Sequence, residues 1–155
     1  MLVLVDTNVL LDVAVEDAKW YEWSTARLQE AANGDGLALN PIIYAELSVH
    51  YDTIEALDEA LSGYAFTRLA LPWAAAFAAG KAYRRYRRRA GVKRSPLPDF
   101  YIGAHATLEG LTLLTRDPRR YREYFPKLKL IAPDRRRDHD AGAPARKETL
   151  SEVAA

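Results

Sequence analysis

The sequence predicts an α/β fold whose central sheet is mainly parallel and covered by helices on both sides, a three-layer α/β/α arrangement. Two observations carry this. Leu2–Val5, Leu37–Leu39, Leu111–Thr115 and Leu128–Ile131 are short, mostly apolar runs without polar alternation, the pattern of strands buried on both faces. Stretches with helical spacing separate them, so strand and helix alternate along the chain. The 155 residues suit one domain with a sizeable core.

The first run leads into Asp6-Thr7-Asn8 and a helical Val9–Val13. Parallel sheets bind ligands beyond the carboxyl ends of their strands, where Asp6 stands. Any of the three polar residues could instead cap the helix. Ala18 to Ala32 predicts a longer helix with Trp20, Trp23, Leu28 and Ala31 on one face, closed by the turn Asn33-Gly34-Asp35-Gly36. After the strand at Leu37, Asn40-Pro41 offers a cap and a proline at the first helical position. On the helix that follows, Ile43, Glu46, Leu47 and His50 share a stripe. An acid on that inward stripe needs a base or a metal as partner.

Thr53 to Leu61 predicts a further helix, and Phe66 to Leu71 a short strand. Pro72 opens an alanine-rich helix through Trp73, Phe77 and Tyr83. It runs into the basic stretch Lys81 to Arg89, and the loop Ser95-Pro96-Leu97-Pro98 breaks it. Asp99 starts a helix reaching about Glu109, with Gly110 placed to end it. Asp99, Ile102, Gly103 and Ala106 share one face, which aims a second acid inward. The run from Leu111 enters Arg116-Asp117-Pro118, where Asp117 is well placed as a cap. Residues 134–155 turn to mixed charge, alanine and glycine and predict a mobile tail behind a domain of residues 1–133.

Composition narrows the classes of function. With no cysteine, disulfides and cysteine-bound zinc are excluded, which fits a reducing cytoplasm. No run approaches the roughly 18 apolar residues of a membrane span, and no secretory signal opens the chain. A net charge of +1 hides an asymmetry: residues 1–62 hold 12 acids and 2 bases, whereas residues 81–94 hold 8 bases and no acid. Such a strip is either a solvated helix face, its arginine stems covering apolar surface, or a surface for phosphates.

Four acids therefore stand out: Asp6 and Asp117 at strand ends, Glu46 and Asp99 on inward helix faces. Each alone has an ordinary structural reading as a cap or an ion-pair partner. Together they could converge on one edge of the sheet. Clustered carboxylates repel unless protonated or bridged by cations, and Mg²⁺ and Mn²⁺ favour such oxygen donors. The hydroxyls of Thr7 and Thr115 and the amide of Asn8 suit a supporting role. Lys81, Arg84, Arg85, Arg87, Arg88, Lys93 and Arg94 suit an RNA backbone, with Tyr83 and Tyr86 available for base stacking. His50 and His105 read as structural.

These residues resemble a known family, the PIN-domain ribonucleases, and within it the short VapC-type toxins of prokaryotic toxin–antitoxin pairs. Val5-Asp6-Thr7-Asn8-Val9-Leu10, Glu46, Asp99-x-x-Ile102-Gly103-Ala104 and Thr115-Arg116-Asp117 carry the likeness, which spans about residues 1–133. It implies a PIN-like fold and a Mg²⁺- or Mn²⁺-dependent endoribonuclease, usually a homodimer, inhibited by a cognate antitoxin that also binds DNA. It implies metal contacts from Asp6, Asp99 and Asp117, with Glu46 direct or through water and Thr115 in support. Gly103 departs from the alanine common at that position.

Other readings are weaker. A haloacid-dehalogenase-type phosphatase wants an acid where Asn8 stands, and both it and a receiver-like domain want a lysine that the later motifs lack. A non-catalytic RNA- or protein-binding PIN-like module is the remaining alternative, and retention of all four acids argues against it.

Overall fold

The computed structural model describes residues 1–90 and 97–134. Along these run β1 (Val3–Val5), α1 (Thr7–Ala14), α2 (Tyr21–Asn33), β2 (Leu37–Leu39), α3 (Pro41–Ser48) and α4 (Ile54–Leu61). Then follow β3 (Phe66–Arg68), α5 (Trp73–Ala90), α6 (Leu97–Glu109), β4 (Thr112–Leu114), α7 (Arg119–Tyr124) and β5 (Lys129–Ile131). Every pairing is parallel, in the order β3-β2-β1-β4-β5. The residues assigned to a tail, all but Asp134, lie outside the described ones.

β1 takes the centre because all three of its side chains are buried, which only a strand covered on both faces allows. From β1 the chain winds outward through β2 to β3, then returns past β1 to β4 and β5. Right-handed crossovers in opposite directions put α1–α4 on one face and α5–α7 on the other. The winding reverses between β1 and β4, and the crevice beyond their carboxyl ends is where such sheets bind ligands. Two bonds fix that edge: the Asp6 amide donates to Leu114 O at 2.9 Å, and the Thr115 amide to Ile131 O at 3.0 Å.

Local chemistry sets the boundaries. Asn40 caps α3 by accepting from the Ile43 amide at 2.9 Å, Thr53 caps α4, and Gly110 closes α6 at a φ of 64°. α2 starts at Tyr21 rather than Ala18, because the Asp17 carboxylate accepts from the Lys19 and Trp20 amides, both at 2.9 Å, and holds a turn there. On its inner face Ser24 takes the fully buried place, whereas Trp20 and Trp23 are half-buried. α3 ends at Ser48, which leaves His50 exposed beyond the stripe assigned to it. Pro118 rather than Asp117 occupies the cap position of α7, so Asp117 makes no cap.

α5 buries its small side chains rather than its large ones. Trp73 and Phe77 are 93% and 70% exposed, while Ala75, Ala79 and Ala82 are fully buried. Alanines at this helical spacing let α5 approach α6 closely. Phe100 of α6 then packs against Tyr83 and Tyr86, ring centroids 5.9 and 5.5 Å away. The departure at Gly103 has a steric cause, because a Cβ there would lie 2.5 Å from the Phe125 ring.

Candidate active site at the sheet switch point

Asp6 leaves the end of β1 and lies at the floor of the crevice, 4% exposed. One carboxylate oxygen, Oδ1, accepts from the Thr7 amide at 2.8 Å and so caps α1. The other, Oδ2, accepts from the Thr115 hydroxyl at 2.8 Å and from the Tyr121 hydroxyl at 3.0 Å. Asp6 thus caps α1 through one oxygen and meets the two hydroxyls through the other. Burial drives the Asp6 carboxyl up to about 7, Asp99 and Glu46 push the same way, and the two hydroxyls oppose them.

The other acids come from both sides of the switch point. Asp99 sits in the first turn of α6 and pairs with Arg120, Oδ2 to Nη1 at 2.5 Å. Burial raises its pKa against the pull of that guanidinium. Glu46 is half-buried on α3, and its Oε1 accepts from the Thr7 hydroxyl at 2.8 Å. Burial raises its pKa as well. Asp117 is exposed, and its amide donates to the Thr115 hydroxyl oxygen at 3.2 Å. Asp6, Asn8, Asp99, Asp117, Arg120 and Tyr121 border one cavity of about 330 Å³. Glu46 stands behind it, tied in through Thr7.

The residues assigned to support are woven into this set. The Asn8 amide group donates to Asp6 Oδ2 at 3.4 Å and to Thr115 Oγ1 at 3.3 Å, and its oxygen accepts from the Arg116 amide at 3.3 Å. Arg116 turns away from the cavity. Its Nε donates to the buried Asp12 at 3.0 Å, and Ser24 donates to the same carboxylate at 2.8 Å. That clamp joins α1, α2 and the loop carrying Asp117.

Tyr121, Arg120 and the Asp12 clamp are the contributors that sequence reasoning missed. Tyr121 and Arg120 lie three and two residues past Pro118, within one helical turn, and that spacing was the available signal.

The donor set suits a hard divalent ion: all oxygens, mutually repelling, and buried with too little opposing charge. Among the described residues, no three acid, histidine or cysteine side chains stand close enough to hold a metal as they are. Arg120 pairs with Asp99, and Thr7 donates to Glu46.

Beside the cavity, Lys81, Arg84, Arg85, Arg87 and Arg88 are all exposed along α5; Lys93 and Arg94 lie outside the described residues. Tyr83 and Tyr86 are half-buried, and Tyr86 borders the cavity. Both pack on Phe100, and Tyr86 also meets Tyr124 at 6.0 Å. His105 is fully buried, its Nδ1 3.1 Å from the Asn40 amide nitrogen, in keeping with a structural role.

No helix among the described residues is long and apolar enough to cross a membrane. A comparison with curated proteins finds no match. The fold is similar to a chain of VapBC2 from Rickettsia felis, solved bound to a promoter DNA fragment, at 20% identity and a TM-score of 0.63 over 86% of this chain and 100% of that one. It is also similar to a chain of VapBC-1 from nontypeable Haemophilus influenzae, at 19% identity and a TM-score of 0.62 over 85% and 98%. A chain of a toxin–antitoxin complex from Klebsiella pneumoniae matches at 24% identity and a TM-score of 0.57 over 85% and 98%. Residues 3–125 match the family model described as the PIN domain, and the chain belongs to that family.

Proposed function

We propose that this protein is a Mg²⁺- or Mn²⁺-dependent endoribonuclease, the toxin of a type II toxin–antitoxin pair. It would act in the cytoplasm as a homodimer and be silenced by a cognate antitoxin. One observation carries the nuclease reading: a carboxylate buried at the switch point, Asp6, has Asp99, Asp117 and Glu46 around it and, among the described residues, no base bonded to it. Near-full-length similarity in fold to chains from VapBC complexes supports the toxin role.

In this reading Asp6, Asp99 and Asp117 would hold the ion, with Glu46 bound directly or through water. The ion supplies a water of lowered pKa and neutralises charge developing on the phosphate. Thr115 and Tyr121 hold Asp6 Oδ2 by their hydroxyls and favour its charged form. Asn8 spans from Asp6 to the backbone of Arg116 and keeps the β1 and β4 ends in register. The exposed bases of α5 lie on the helix that leads towards Asp99 and would draw the RNA backbone to the cavity.

The Arg120–Asp99 pair favours the second reading, a non-catalytic binding module, because it already neutralises one acid. Product ends separate the two. Single-stranded RNA cut by this chemistry carries a 5′-phosphate and a 3′-hydroxyl. A cyclic phosphate end would mark a different mechanism, and uncut RNA would favour the binding module.

A further inference from the structure

Of Asp6, Glu46, Asp99 and Asp117, Asp99 alone has a cation paired with it among the described residues, and that cation is Arg120. Of its neighbours on the same segment, Arg116 is bound to Asp12, and Arg119 is exposed and borders the same cavity. Arg120 projects from α7, lies over the Tyr86 ring at 5.6 Å and places Nη1 on Asp99 Oδ2. The Arg120 and Asp99 side chains are only 37% and 32% exposed, so water weakens the pair less than it would on an open surface.

We propose that Arg120 competes with the divalent ion for Asp99: it holds the carboxylate in the metal-free protein and must release it before an ion can be taken. The inference rests on the metal-site reading above. Both cations draw on the same carboxylate, and each repels the other across a half-buried gap. A guanidinium that leaves Asp99 presents a donor fork suited to phosphate, so RNA and metal would enter together.

The test is Mn²⁺ affinity by titration calorimetry on the full chain, with circular dichroism to check folding. Arg120→Gln should bind Mn²⁺ at least tenfold more tightly than the wild type, and Arg120→Lys should stay within a few-fold of it. In an Asp99→Asn background, Arg120→Gln should no longer change the affinity. Equal or weaker binding by a folded Arg120→Gln protein overturns the competition and leaves the metal site standing. If neither the wild type nor Arg120→Gln binds Mn²⁺, the metal reading falls and the competition with it.

Discussion

Tyr121 donates its hydroxyl to Oδ2 of Asp6 at 3.0 Å, and both side chains are almost wholly buried. The contact joins α7 to the end of β1 across the switch point. It also favours the ionised form of Asp6, the form a metal would need. Tyr121→Phe removes that donor and little volume, so the Asp6 carboxyl should titrate still higher. A hydrogen bond to a charged group contributes about 1.5–3 kcal/mol. RNA cleavage at neutral pH should therefore fall about tenfold or more and recover in part as the pH is raised. A pH–rate profile on matched protein checks this; a loss equal at every pH would assign Tyr121 to packing alone.

Asp6→Asn should abolish cleavage and stabilise the metal-free fold above neutrality. The folded pKa, about 7, lies above the ordinary 3.8, so the stability linked to this group is complete below about pH 4. It is lost as the pH rises through 7. The gain from Asp6→Asn should therefore grow across that window, towards about 2–4 kcal/mol. Glu46 and Asp99 shift in the same direction, so the difference between wild type and variant is the quantity to measure. Chemical denaturation in EDTA at several pH values gives it directly, and a gain that does not vary with pH would contradict the assignment.

Gly103→Ala should destabilise the protein by about 1–3 kcal/mol, because the added Cβ would press on the Phe125 ring. Better helix propensity for alanine returns up to about 1 kcal/mol of this. Thermal melts will show the net sign. A stabilised variant would mean that the ring moves aside at little cost.

Neutralising Arg84, Arg85, Arg87 and Arg88 together as glutamines should weaken RNA binding and flatten its dependence on salt. For a single strand, each phosphate that the protein no longer neutralises lowers the slope by about 0.7, so a drop of about 2–3 is expected. An unchanged slope would return these arginines to their other task. Arg87 and Arg89 already lie over Tyr83 and Tyr124, at 6.0 and 5.8 Å.

The parallel sheet was legible because strands such as Val3–Val5 are buried on both faces and must be apolar throughout. The acids were legible because Asp6 and Asp117 end strands, and because Glu46 and Asp99 interrupt apolar stripes. Where the reading fell short, tertiary packing decided the outcome. The buried face of α5 had no assignment from sequence: the small Ala75, Ala79 and Ala82 form it, while Trp73 and Phe77 stay exposed. Tyr83 and Tyr86 alternate with arginines as surface residues do, and nothing in the local pattern signalled that both also pack on Phe100 of another helix. Arg120 was missed for a related reason: its partner is 21 residues away in sequence, beyond the reach of any local periodicity.

The most direct measurement is cleavage of total cellular RNA by the purified protein in Mn²⁺ or Mg²⁺ against EDTA, with Asp99→Asn alongside. The account predicts discrete fragments that need both the metal and Asp99, with sites mapped by end sequencing. Fragments that persist in EDTA, or that Asp99→Asn still produces, would contradict it.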